Sequence, residues 1–155
     1  MHSHRLYKLM AVFLLAGLFL TACSGSGTPA STGTGTSAPQ GTNLQGKTWL
    51  WQKTEFNNGK DIPVVQPDAY TLQFMPDGTV NIKADCNSGG GVYSVTDNVD
   101  LTIHIATMTQ AACPAGSLSD EYVKELNDTG SYTIDRNGEL VFALKSGAGM
   151  RFKAQ

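Results

Sequence analysis

Cysteines at 23, 86 and 113, a histidine at 104 and a glycine run at 89–91 are the places in this 155-residue chain where residue type and spacing could do chemistry. Cys23 ends the run Leu20-Thr21-Ala22-Cys23, small residues ahead of a thiol, which resembles a lipobox whose cysteine takes a diacylglycerol on its sulfur. Cys86 and Cys113 could form a disulfide, which would stabilise a small domain by about 3–4 kcal/mol through its effect on chain entropy. Free buried thiols, a metal pair with His104 and a single reactive thiol are the competing readings. Metal sites favour C-x-x-C or H-x-x-x-H spacing, and neither motif occurs. His104 falls on the polar side of its segment, where a solvated imidazole is the ordinary explanation. Nucleophilic catalysis would have to draw on Asp85, His104, Thr107 and Thr109. It needs nucleophile, base and orienting group within hydrogen-bond reach, and no G-x-S-x-G motif supports it. The glycines of Asp85-Cys86-Asn87-Ser88-Gly89-Gly90-Gly91 are no phosphate loop, because no Gly-Lys-Ser/Thr and no helix follow. They suggest positive φ or a close backbone approach instead.

The elements that must hold these residues alternate with period two between turn signals, the pattern of antiparallel strands. The candidates are 47–52, 70–74, 79–85, 91–95, 100–105, 132–134, 139–144 and 150–153. Trp49 and Trp51 share one face of the first. Tyr70, Leu72 and Phe74 share a face of the second; Leu101, Ile103 and Ile105 do so in the fifth. Pro76-Asp77-Gly78 reads as a tight turn, and Arg136-Asn137-Gly138 as a hairpin connection carrying the Asn-Gly signal. Segment 119–127 departs from this rule, with Leu118, Tyr122, Val123 and Leu126 at helical spacing. Ser119 is its expected N-cap, Asp120 and Glu121 suit the positive end of the helix dipole, and Leu118 with Val123 makes a hydrophobic staple. Thr129-Gly130 would end it. Seven or eight strands and one helix predict a mainly β fold: a small antiparallel barrel, closed to remove its edges, with the helix over one open end.

Outside this region the chain reads as an address and a spacer. Residues 1–22 join a positive head (Arg5, Lys8) to the apolar run Leu9–Leu20. Twelve residues are too few to cross a bilayer, which takes about 20, so a cleavable lipoprotein signal peptide is expected. An ordinary secretory signal or a buried helix is the alternative. Stable anchoring follows from two or three acyl chains on Cys23 rather than one. Sixteen of the twenty residues 24–43 are Gly, Ser, Thr or Pro and none is charged, the composition of a disordered tether. Twenty such residues span roughly 25 Å. The remaining 44–155 make one small domain. Losing Arg5 and Lys8 with the signal leaves nine basic against thirteen acidic residues, a net charge of −4 with no basic patch. Nucleic-acid binding needs such a patch and is set aside.

The ordered features of 44–153 resemble those of the META domain, or HslJ-like, family of bacterial lipoproteins and secreted proteins. They are Trp49, Phe74 before Pro-Asp-Gly, Cys86-Asn87 with Gly91 and Tyr93, then Leu101 and Ile103. Thr109-Gln110-Ala111-Ala112-Cys113-Pro114, the segment with Tyr122 and Leu126, and finally Leu140 and Phe152 complete the series. Asp85 stands where glycine is frequent in that family, and Gln110 where a basic residue is frequent. The resemblance implies a small barrel-like fold with one helix. It also implies a link to stress, drug-resistance or secretion phenotypes without an established catalytic activity.

The expected function is that of a non-catalytic, membrane-anchored extracytoplasmic module for binding or envelope stress. It is expected to be monomeric, without cofactor or metal, and lipid-anchored on the outer side of the membrane, in the outer membrane if the cell has one. Its partner would be an envelope protein meeting the loops around Asn87 and Thr109–Pro114. The same two loops could instead simply pack on each other. A protein inhibitor of an exogenous hydrolase, and a binder of a small hydrophobic ligand in a hollow barrel, are the alternatives.

Overall fold

The structure, a computed structural model, describes residues 43–155. The expected signal peptide, Cys23 and all of the expected tether but Asn43 lie outside the described residues. Nine strands and one helix follow in order: β1 (Thr48–Glu55), β2 (Ile62–Pro63), β3 (Tyr70–Phe74), β4 (Thr79–Ala84), β5 (Asn87–Thr96), β6 (Asp100–Met108), α1 (Ser119–Asn127), β7 (Thr129–Ile134), β8 (Leu140–Leu144) and β9 (Gly149–Ala154). A short 3-10 turn, Pro67–Ala69, leads into β3.

Every named pairing is antiparallel, in the order β2-β1-β3-β4-β5-β6-β7-β8-β9, and β1 also pairs with β9, so the sheet closes into a ring. The alternation seen in the sequence sets which side faces inward. Tyr70, Leu72 and Phe74 of β3, Val80, Ile82 and Ala84 of β4, and Leu101, Ile103 and Ile105 of β6 are buried while their neighbours face out. Trp49, Trp51, Phe74, Tyr122, Phe142 and Phe152 fill the interior, each essentially without exposure. Burying such a side chain contributes about 1.5–3 kcal/mol, and the ring pairs add geometry. Trp51 stacks on Tyr122 with centroids 5.0 Å apart, and Tyr70 meets both rings edge-on.

The ring has one thin seam. β6 and β7 share a single register pair, Asp100 with Ser131. Helix α1, which joins these two strands in sequence, packs on β6, and Asn127 Oδ1 accepts the Ile105 N–H at 2.9 Å. A side-chain amide thus takes a position that a neighbouring strand would otherwise fill.

The structure corrects several local expectations. Strand β5 starts at Asn87 rather than at Gly91, so Gly89 and Gly90 lie within it, and a bulge lies between Gly90 and Gly91. A Cβ at Gly91 would collide with the carbonyl of His104, so the glycine is there for close approach of β6. The helix ends at Asn127, ahead of Thr129-Gly130 as expected, and those two residues open β7. Leu118, not Ser119, is the N-cap of α1, and no side chain caps it. Arg136-Asn137-Gly138 connects β7 to β8 as expected: Asp135 N–H reaches Glu139 O, and Gly138 alone of the three has positive φ. Asp97 and Asn98, both of positive φ, lie in the three-residue connection 97–99 between Thr96 and its partner Asp100. Strand β2, two residues long, raises the number of strands to nine.

The registers sort the connections into two ends. At one end lie residues 43–47, the 75–78 turn, the 97–99 connection and Gln155. Leu44 is fully buried there and accepts the Trp49 indole N–H. Gln45 donates to the Tyr93 hydroxyl, which donates to Met75 O, and the Tyr132 hydroxyl reaches Asn43 Oδ1. At the other end lie the 62–69 connection, residues 85–87, the long 109–118 loop and the start of α1, joined by Asp85 N–H to Ala69 O and Leu118 N–H to the Tyr70 hydroxyl. The chain therefore enters the barrel at the end opposite the cysteines.

Candidate functional site: the disulfide-braced loop end

Cys86 and Cys113 form a disulfide, with Cα atoms 5.4 Å apart, an ordinary separation for the bond. It joins the residue before β5 to the loop after β6, so it clamps the open ends of a strand pair already held by its ladder. Cys86 is exposed and Cys113 half-buried.

Asn87, next in the chain, does the finer work. Its Oδ1 accepts from the Ala111 N–H at 2.8 Å and the Thr109 hydroxyl at 3.0 Å; its Nδ2 donates to Ala111 O and to Cys113 Sγ, both at 3.2 Å. Thr109 in turn accepts the Ser88 N–H on its hydroxyl, and its own N–H goes to Ser88 O. An amide side chain has two acceptor and two donor positions, and here all four are taken. With 7 % of its surface exposed, Asn87 faces the loop, not solvent. Asn87 and Thr109, expected as a contact loop for a partner, pack on each other. Thr109 to Ala112 and Pro114 to Gly116 are the exposed residues of that loop.

Asp85 lies in the left-handed region at φ 58, a conformation that suits glycine, the residue frequent there in the family it resembles. It borders an open cleft of about 500 Å³ together with Ile62, Val65, Tyr70, Pro114 and Leu118. Val65 is 90 % exposed at its rim. On the other side of the 109–118 loop, a cleft of about 610 Å³ runs between the loop and α1, lined by Met108, Thr109, Ala112, Asp120, Val123 and Lys124. A smaller recess of about 360 Å³ between them includes Asn87, Cys113, Ser117 and Ser119.

The other residues considered for catalysis are spread out. His104 faces solvent from β6, opposite Val92 of β5, while Asp85 and Thr109 sit at the loop end. Thr107 donates its hydroxyl to Gly90 O. No group of three or more His, Cys, Asp or Glu side chains that could hold a metal occurs among the described residues.

Sequence reasoning passed over Glu125. It is only 3 % exposed, and its Oε2 accepts the Thr54 hydroxyl at 2.5 Å while Thr54 Oγ1 accepts the Trp51 indole N–H. Burial disfavours the carboxylate and pushes its pKa up to about 7, partly opposed by the Thr54 hydrogen bond. Its Oε1 and the Tyr122 hydroxyl have no hydrogen-bond partner among the described residues, and burial holds the Tyr122 pKa well above the usual phenol value. The signal was present in the sequence: 122, 125 and 126 lie on one helix face, so a carboxylate stood in the apolar stripe.

Comparison with known proteins agrees with this architecture. The chain is similar in fold to a protein from Burkholderia xenovorans solved by NMR, with a TM-score of 0.56 at 18% identity, covering 88% of this chain and 99% of that one. It is also similar to a DUF4847 family protein from Bacteroides vulgatus in a crystal structure, with a TM-score of 0.51 at 15% identity, covering 70% and 92%. At such identities the likeness concerns the fold alone. Among curated proteins none matches. The sequence model of the META domain matches residues 42–155, the whole of the closed barrel with its incoming segment, and the chain belongs to the META domain family.

Proposed function

We propose that this protein is a lipoprotein of the cell envelope, anchored by lipid on Cys23, whose META domain is a non-catalytic binding module serving an envelope partner or stress response. The observation that carries this reading is the opposition of the two ends. Asn43, Leu44 and Gln45 fasten the incoming chain at one end, and the disulfide, the 109–118 loop and its clefts occupy the other. A lipid at Cys23 would tether the barrel through the end opposite the braced loops, leaving those loops free for a partner.

The contact surface in this reading is Gln110–Ala112 with the flanking clefts, and Asn87 acts as their internal brace. A loop fixed in advance by a disulfide and four amide hydrogen bonds loses little further entropy on binding. The interior filled by Trp49, Trp51, Phe74, Tyr122, Phe142 and Phe152 favours recognition at this surface over a ligand held inside the barrel.

Two measurements test the proposal. Detergent phase partition of the native cells' protein should place it in the detergent phase and a Cys23→Ser variant in the aqueous phase; aqueous partition of both refutes the anchor. A photo-crosslinking residue at Gln110 should yield adducts in intact cells, and one at Asn98, at the opposite end, should not. Equal adducts at both positions, or none at Gln110, refute the contact surface.

A further inference from the structure

The two sulfurs of the Cys86–Cys113 bridge occupy unlike surroundings. Cys86 is exposed and follows Asp85, whose φ is 58, in the turn between β4 and β5. Cys113 is half-buried, and the Asn87 amide donates a hydrogen bond to its Sγ at 3.2 Å. Cys113 also lines the 360 Å³ recess with Ser119 and Asp120, the first residues of α1, whose N-cap Leu118 offers no capping side chain. Free N–H groups at a helix start favour a nearby anion. The Asp120 carboxylate stands on the same turn and opposes that effect, so the Asn87 amide is the chief stabiliser.

From this asymmetry we infer that the bridge is a directional thiol–disulfide exchange site, open to a dithiol reductant, in which Cys86 is the sulfur attacked and Cys113 the sulfur that leaves. Exchange proceeds by attack of a thiolate on an accessible sulfur, and the sulfur better able to carry negative charge departs. In the first step the reductant's thiolate bonds to Cys86 Sγ as the Cys86–Cys113 bond breaks, and the electron pair leaves on Cys113 Sγ, held by Asn87 Nδ2–H. In the second, the reductant's other thiol, deprotonated, closes on its own partner sulfur and expels Cys86 as thiolate. The protein gains two electrons and two protons; the dithiol becomes a disulfide. Opening the bridge leaves residues 109–118 held by hydrogen bonds without a covalent tie, those of Asn87, of Thr109 with Ser88 and of Leu118 with Tyr70, and this segment lines all three clefts. The redox state of one bond therefore sets the rigidity of the loop end. The inference concerns the bridge itself and stands whether or not an envelope partner binds there.

Glutathione, a monothiol, stops the reaction after the first step and records its direction. The oxidised protein is treated briefly with glutathione without denaturant, free thiols are alkylated, and peptides are weighed. Glutathione is expected on Cys86 and the alkylating label on Cys113, exceeding the reverse arrangement by about tenfold. The rate is expected not to change with low urea, since attack occurs on the folded molecule. Equal or reversed labelling overturns the inference, as does exchange that appears only when urea unfolds the chain. Asn87→Ala separates the two roles of that residue. If Asn87 only holds the loop, the variant exchanges faster with the same preference, and the leaving-group assignment fails. If it stabilises the departing thiolate, the labelling ratio collapses towards one.

Discussion

At the scale of single residues, the most consequential side chain is Glu125, a carboxyl buried beside Trp51 and Tyr122 with one oxygen bonded to Thr54 and the other unpartnered. In the unfolded chain it titrates at an ordinary carboxylate value, near 4.5; in the folded one the pKa is about 7. The folded state therefore binds the proton more tightly, so the contribution of Glu125 to stability is full below pH 4.5. It falls as pH rises through that interval and is level above 7. The full difference is about 3 kcal/mol. Urea denaturation at pH 5 and pH 8 should find the protein more stable at pH 5, and Glu125→Gln should remove most of that difference by raising stability at pH 8. Equal pH dependence in both proteins would refute the assignment. Glu55, Asp77 and Asp128 do not blur the window: the first is held down by Lys53 and Arg151, the second by Thr79 and the third by Ser146, so they act at lower pH and with opposite sign. Asp85 poses a simpler question of backbone strain. Left-handed φ costs a non-glycine residue roughly 1 kcal/mol, so Asp85→Gly should raise the unfolding midpoint slightly and Asp85→Val should lower it. A loss of stability with glycine would show that the aspartate side chain earns its place there.

At the scale of elements, β5 shows how the sequence carries a fold that its composition disguises. The expected strand starts only at Gly91, and Gly89 and Gly90 stand outside it because glycines weaken a strand. In the folded molecule they are the strand, because β6 and its bulge come too near to leave room for side chains: a Cβ at Gly91 meets the His104 carbonyl. Gly91→Ala should therefore force β5 and β6 apart and destabilise the domain by about 2 kcal/mol or more. Gly130→Ala in β7, where the nearest atoms leave ordinary room, should change stability by less than about 1 kcal/mol. Thermal unfolding of the two variants compares them directly, and similar losses would remove close approach as the reason for the glycines. Strands with clean alternation, such as 70–74 and 100–105, were legible because one face is core and the other water. The helix was legible from Leu118, Tyr122 and Leu126 at helical spacing. Its cap was not, because Leu118 caps α1 without a side-chain bond while its own N–H goes to the distant Tyr70 hydroxyl. The juxtaposition of Asn87 with Thr109 was legible through the cysteines flanking it. That Asn87 would spend all its hydrogen bonds inside the loop was not, since saturation depends on backbone groups that every sequence shares.

At the scale of the whole molecule, two kinds of closure hold the domain. The ladder from β1 to β9 closes the ring, and its one thin place, between β6 and β7, is covered by α1. The disulfide closes the chain a second time across the loop end, spanning residues 86 to 113. The core of packed aromatics does not include either sulfur, and the Asn87 amide keeps three of its four hydrogen bonds without the disulfide. Loss of the bridge should therefore lower stability without changing the fold. By chain entropy the loss is about 3–4 kcal/mol, a large part of the roughly 5–15 kcal/mol typical of a small domain. Urea unfolding of a Cys86→Ser, Cys113→Ser double variant should show an unfolding free energy lowered by that amount and a correspondingly lower midpoint, with native near-ultraviolet dichroism retained in water from the stacked Trp51 and Tyr122. A variant already unfolded without denaturant would mean that the barrel cannot close on its core alone. An unchanged midpoint would mean that the unfolded chain already keeps the 109–118 segment near β5, and that the bridge serves chemistry at the loop end rather than stability.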